Sequence, residues 1–294
     1  MTTPTPKLSA RDKGRIYEQT LAGEFHSWLA FWIDHNPGRG FVAERLVGPH
    51  GAPITVAAGP GDALINESLG LGLEAPATDD QIDRIEDVFR RAGSDEARIE
   101  LSPYADITLP QRLAARGFEL REFLNVYFRL LDRPPEAERP SGIDIRRIDS
   151  ADASDVAETA ALIAQGMKSL APSETPPDAD RLIAEQIVGC HRVAAFVASI
   201  DGVPAGGACC GVWEGHPLAP RHLNLFSGAT LPAFRGRGVQ RALMHARLHY
   251  GFEQGARSAS LDCSPHAATD RNAPRLGFER LYTKAVLRKP MKTP

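Results

Sequence analysis

Apolar residues recur at helical spacing in several stretches of the chain. Ile82, Ile85, Val88 and Phe89 mark a helix over 79–92, and Val156, Ala160, Ile163 and Met167 mark another over 152–167. Phe25, Trp28 and Trp32 fall on one helical face near the start, a stripe that fits either core packing or an aromatic wall for a ligand. A further helix is expected over 178–187. Short apolar or alternating runs at 143–148, 192–200, 206–212, 223–231, 256–261 and 278–288 predict strands. Asp201-Gly202 joins two of them as a hairpin turn, and the segment Trp213 to Pro217 is expected to make a second hairpin connection.

The pattern repeats. Ala97-Arg98-Ile99-Glu100-Leu101 is followed by Ala115-Arg116-Gly117-Phe118-Glu119 and the strand-like Phe123 to Leu131. Ala256-Arg257-Ser258-Ala259-Ser260 is followed at nearly the same distance by Arg275-Leu276-Gly277-Phe278-Glu279 and the strand-like Tyr282 to Arg288. The shared Gly-Phe-Glu ending points to an ancestral duplication. The expected organisation is a first domain over 1–135, a proline- and charge-rich linker over 136–142, and a second domain over 143–294.

Composition narrows the class. The chain has 294 residues, 43% hydrophobic and 24% charged, enough for two ordinary domains. Its net charge of -3 gives no reason to expect a nucleic-acid partner. No apolar run reaches membrane-span length, and Met1 to Pro6 lacks the regions of a secretory signal, so a cytoplasmic location without membrane attachment is the expectation. Cys190, Cys209, Cys210 and Cys263 are irregularly spaced and read as packed thiols, and no histidine spacing suggests a metal.

The strongest local signal is Leu231-Pro232-Ala233-Phe234-Arg235-Gly236-Arg237-Gly238-Val239-Gln240-Arg241, a strand end and a two-glycine turn that opens an amphipathic helix. Gly236 and Gly238 permit backbone angles closed to other residues, and the first amides of the helix lack intrahelical acceptors. Such a turn holds a phosphate, helped by the helix dipole. Arg241, standing where a third glycine is needed, argues against a dinucleotide fingerprint, and a P-loop is excluded because Val239 and Gln240 follow Gly238 in place of Lys and Ser or Thr. The stretch resembles the acetyl-CoA loop of the GNAT superfamily of N-acetyltransferases in Arg235, Gly238 and the preceding Leu231-Pro232, departing at Gln240, where Gly or Ala is usual. Leu276-Gly277-Phe278, which ends the helix beside the cofactor thiol in that family, is the second half of the likeness.

The resemblance implies an α/β (α+β) fold of two tandem domains, each a mixed, mainly antiparallel sheet flanked by helices. It also implies an acetyl-CoA-dependent N-acetyltransferase that moves acetyl to an amine by direct attack through a tetrahedral intermediate. Acetyl-CoA is then the co-substrate and no metal is needed. Cofactor contacts are expected at Ala229, Leu231, Arg235, Gly236, Arg237, Gly238, Val239, Gln240 and Asn272, and the amides from Ala229 to Leu231 are candidate donors to the oxyanion. Gly228 marks the bulge such strands carry.

The tyrosine that many members use to protonate the thiolate is replaced by Ala273, which leaves Tyr282 as a candidate acid and Glu214 as a candidate base. The acceptor is expected to be a small-molecule or N-terminal amine, and the protein a monomer or homodimer. In the first half, Leu69-Gly70-Leu71-Gly72-Leu73-Glu74 has glycines without arginines, so that half is read as degenerate and unable to bind acetyl-CoA. The alternative function is a non-catalytic acyl-CoA-binding regulator or partner-binding module.

Overall fold

The computed structural model describes residues 8–47, 53–61, 63, 65–136, 142–171 and 174–291. Residues 1–6 and 137–141, on which the leader and most of the linker expectations fall, lie outside them.

The chain opens with the long helix α1, Ala10–His35, begun by a reciprocal cap in which Ser9 and Asp12 satisfy each other's backbone amides. Three antiparallel strands follow, β1 (Val42–Val47), β2 (Pro53–Ala58) and β3 (Glu67–Leu69), in the order β1-β2-β3. Helix α2, Asp79–Arg91, buries Ile82, Ile85, Val88 and Phe89 against them, the face its periodicity predicts. Then come β4 (Glu96–Leu101), α3 (Leu109–Ala115) and β5 (Glu119–Leu130).

The second half runs β6 (Asp144–Arg147), α4 (Ala153–Met167), α5 (Asp178–Gly189), β7 (Val193–Ile200), β8 (Val203–His216), β9 (Ala219–Thr230), α6 (Val239–Glu253), β10 (Ser258–Cys263), α7 (Ala268–Asn272) and β11 (Glu279–Pro290). Asp201 and Gly202 both have positive φ, as the hairpin turn between β7 and β8 requires. The next connection is tighter than the sequence suggests. Trp213, Glu214 and His216 remain in β8, opposite His222, Arg221 and Ala219, so Pro217 and Leu218 alone make the turn. Cys209 and Cys210 point to opposite faces of β8 and enter two separate cores.

The halves are joined by an exchange of their last strands. Eight strands form one sheet in the order β4-β11-β5-β10-β9-β8-β7-β6. The last strand of the first half, β5, pairs with β10 from Ser258↔Leu130 to Cys263↔Asn125. The last strand of the second half, β11, pairs with β4 from Ala285↔Leu101 to Pro290↔Glu96. At the centre β5 and β11 run antiparallel, with Glu119 opposite Arg288 and Glu279 opposite Phe128. Each Gly-Phe-Glu segment therefore feeds a strand that pairs with a strand of the other half.

Candidate active site

The loop between β9 and α6 has the conformation its glycines allow. Gly236 and Gly238 have φ of 78° and 86°, and Gly238 begins α6 with no side chain capping the helix. The loop's own backbone bonds stop at Arg235 N to Pro232 O and resume at Ala242 N to Gly238 O. The amides from Gly236 to Arg241 make no backbone hydrogen bond to a described residue, which leaves donors for an anion at the positive end of α6. A Cβ placed on Gly236 would meet no atom within 4 Å, so the cradle is open space. These residues fit the pyrophosphate of a coenzyme A.

The first half carries a close counterpart that is closed. Gly70 and Gly72 also have positive φ, 86° and 77°, after strand β3. There, however, Leu71 and Leu73 fold back into the core, and Glu74 pairs with Arg15. The Gln81 amide in the first turn of α2 is claimed by Thr78 Oγ1, and Asp79 and Asp80 place negative charge in that turn.

Above the open loop, β9 and β10 separate. Their parallel pairing runs only from His222↔Ser258 to Asn224↔Ser260, and beyond Asn224 the strands diverge. Residue Ser227, with φ of 48°, makes a bulge in β9 beside Gly228, where two residues of β9 face Ala208 alone. The guanidinium of Arg247, buried beneath the bulge, donates to the carbonyls of Cys209 (3.0 Å) and Phe226 (3.2 Å) and keeps the strand in this shape. Into the gap opens a cavity of about 1340 Å³ that reaches from the glycine loop to β3 and β4 of the first half.

Most of the residues expected at the cofactor come together there. Ala229, Arg235, Gly236, Arg237, Gly238, Val239, Gln240 and Asn272 all line the cavity. Arg235 is tied to the end of α4, donating to Ser169 Oγ (2.8 Å), and exposed Arg237 lies over the ring of Phe234. Asn272 Nδ2 donates to Gln240 Oε1 (2.8 Å), and Gln240 in turn donates to Thr269, so this trio braces α6 against α7. Leu231 does not line the cavity, and its amide is spent on Ala205 O (2.9 Å).

The two candidate proton carriers are not brought to the cavity. Glu214 is exposed near the far end of the β8–β9 hairpin, paired with Arg221 at 2.7 Å. Tyr282 stands on β11 with its ring against Tyr104, and its hydroxyl donates to the buried Glu18 (2.7 Å). Burial and the Glu18 carboxylate raise its ionisation well above that of an ordinary tyrosine. The aromatic stripe divides: Trp32 packs in a core with Leu29 and Phe41, whereas Phe25 and Trp28 face the cavity. Trp28 lies against Phe226 of the bulge, with ring centroids 4.2 Å apart.

Three carboxylates that the sequence did not single out share the far end of the cavity: Glu67 of β3, Glu100 of β4 and Asp262 of β10. Lys284, wholly buried on β11, pairs with Glu100, lies 3.8 Å from Asp262 and donates to the Tyr17 hydroxyl (2.9 Å). Burial pushes Glu100 up to about 7 despite the lysine. Beside them runs a buried polar chain. His222 touches the hydroxyls of Ser258 and Ser260, each at 2.7 Å, Ser260 donates to Asn224 (2.6 Å), and Asn224 donates to Glu24 of α1 (2.6 Å). In sequence these groups look like the outward positions of alternating strands. Only the placement of α1 over that face buries them.

Comparison with known proteins gives the family. Residues 163–278 match the acetyltransferase (GNAT) family. Over 120 residues, 39% of this chain and 81% of the relative, the sequence is 31% identical to aminoglycoside N(6')-acetyltransferase type 1 of Salmonella typhimurium, and the Salmonella enteritidis protein of the same name matches equally. The fold is shared over nearly the whole chain with a tandem GNAT protein from the clavulanic acid biosynthesis pathway (TM-score 0.56, 16% identity, 98% of each chain covered). It is shared also with a GCN5-related N-acetyltransferase from Kribbella flavida (TM-score 0.56, 16% identity, 92% of this chain and 96% of that one). The fold is thus that of a two-domain acetyltransferase. The chain belongs to the GNAT family and is an N-acetyltransferase.

Proposed function

We propose that the protein moves an acetyl group from acetyl-CoA to an amine of a small molecule, with the cofactor on the second half and the acceptor between the halves. The family uses acetyl-CoA as its co-substrate. The observation that carries its placement is the uncapped loop at Gly236 to Arg241, which opens directly into the cleft between the diverging strands. Bound there, acetyl-CoA would supply the activated acetyl group. The amides from Gly236 to Arg241 would hold its pyrophosphate, and the bulge braced by Arg247 would shape the β9 side of the cleft. The first half, its own loop filled by leucines and its helix capped, serves as the wall of the acceptor end through Phe25, Trp28, Glu67 and Glu100. The relatives named as aminoglycoside acetyltransferases support a small amine as acceptor, and the carboxylates facing the cavity support a cationic one.

Calorimetric titration with acetyl-CoA and with free CoA tests the cofactor site. One site per chain is expected, and Gly238→Trp should abolish binding, because the indole enters the cradle and the left-handed backbone at φ 86° is strained for any side chain. Undiminished binding by Gly238→Trp would refute the placement.

A further inference from the structure

We propose that Glu67, contributed by the first half, takes the proton from the attacking amine, and that the acceptor binds against Glu67, Glu100 and Asp262 as a cation. This rests on the acetyl-transfer reading above. Glu67 sits on the short strand β3, paired on one side with Ala57 of β2 and facing the cavity near β4 on the other. The carboxylates around it have partners. Glu100 is held by Lys284, Asp262 lies 3.8 Å from the same ammonium, and Glu18 accepts from Tyr282. Asp180, which also lines the cavity, is paired with Lys168 at 3.1 Å. The side chain of Glu67 makes no hydrogen bond or ion pair with any described residue, so its oxygens are free for a ligand.

Charge makes the same end selective. One buried ammonium, Lys284, stands among the carboxyl groups of Glu67, Glu100 and Asp262, so the acceptor end of the cavity becomes net negative as Glu67 and Glu100 ionise, and a protonated amine bound there favours their ionised form. A second group points to an occupant. The indole N–H of Trp28, buried along the same cavity, has no acceptor among the described residues, and a hydroxyl or carbonyl of the acceptor would supply one.

The proton chemistry suits the step. Burial, with Glu100 and Asp262 close by and Glu122 of β5 beyond, pushes Glu67 well above the usual carboxylate range, while Lys284 opposes the shift. A carboxylate so raised competes for an ammonium proton better than an exposed one does. In the transfer, Glu67 takes one proton from the bound ammonium and passes it to solvent, the freed nitrogen bonds to the acetyl carbon, the carbon–sulfur bond breaks with its electron pair leaving on sulfur, and the second nitrogen proton ends on the departing thiolate. The thiol of Cys263, pushed by burial up to about 12, stays protonated and is no rival base.

The test compares wild type, Glu67→Gln and Glu67→Asp in acetyl transfer to neomycin, spermidine, tyramine and a lysine-bearing tripeptide. Acetyl-CoA affinity is measured alongside by calorimetry. For the amines that wild type accepts, Glu67→Gln should lower kcat on the order of 10²- to 10⁴-fold with acetyl-CoA affinity unchanged. The rise of kcat with pH seen in wild type should vanish in Glu67→Gln, and Glu67→Asp should recover part of the rate. A Glu67→Gln enzyme within threefold of wild type, with the same pH profile, would overturn the assignment. So would a wild type that binds acetyl-CoA but acetylates tyramine, the singly charged probe, in strong preference to neomycin and spermidine, or that acetylates none of the four. Failure of wild type to bind acetyl-CoA would instead overturn the cofactor site on which the assignment rests.

Discussion

Replacing Glu24 with glutamine should stabilise the protein in alkali. Glu24 lies on the buried face of α1, against Gly211, and accepts a hydrogen bond from Asn224 Nδ2. Burial pushes its pKa from 4.5 to about 8. Between those values the unfolded chain has released the proton while the folded chain keeps it, so the unfolded state binds fewer protons and stability falls as pH rises. Taken from pH 6 to pH 9, this one group removes about 2.6 kcal/mol of stability. The glutamine side chain of Glu24→Gln has nearly the shape of the protonated acid, still accepts from Asn224 and does not titrate. At about 2–4 °C per kcal/mol for a protein of this size, the Tm difference between variant and wild type should widen by about 5–10 °C from pH 6 to pH 9. Glu100, raised in the same sense, remains in both proteins and cancels in the comparison. Thermal unfolding across that range is the assay. A difference between the two proteins that stays constant with pH would show that Glu24 titrates normally and that the polar chain under α1 is open to water.

Two further outcomes follow from the packing. Lys284→Met strips the buried carboxylate of Glu100 and the half-buried one of Asp262 of their cation and should cost about 3–5 kcal/mol in urea unfolding, part of which Glu100→Gln in the same chain should restore. An equal cost in both chains would mean that the loss is one of packing alone. Gly206→Ala would bring a methyl group to 2.5 Å from the carbonyl oxygen of Ala229 and 3.2 Å from Thr230 Cα, both backbone, so β9 itself must shift. It should destabilise by about 1–3 kcal/mol and weaken acetyl-CoA binding, seen by calorimetry, because the displaced strand leads into the glycine loop.

Features set by a few neighbouring residues are legible in the amino-acid sequence. The face of α2, the turn at Asp201-Gly202, the positive φ of Gly236, Gly238 and Gly277, and the bulge near Gly228 each follow from side-chain period or from the angles a residue can adopt. The phosphate cradle belongs with them, since its amides are consecutive and its chemistry is the backbone's own. Asn272 also reaches the cavity, though its amide is taken up by Gln240. Tyr282 and Glu214 show where such reasoning stops. A tyrosine near Ala273 in sequence and a glutamate of the connection before β9 need not reach the cleft in space, and one is claimed by Glu18 and the other by Arg221.

The duplicated pattern, the glycine loop and the class of chemistry are thus written into the chain, because short-range periodicity and backbone freedom encode them. Tertiary folding alone places β5 between β10 and β11, and lays α1 over the polar face of the shared sheet. It alone brings Glu67 and Glu100 of one half to Asp262 and Lys284 of the other. Those meetings depend on strand order and register between segments far apart in the chain, and a charged residue on an alternating strand reads the same whether that face meets water or is buried.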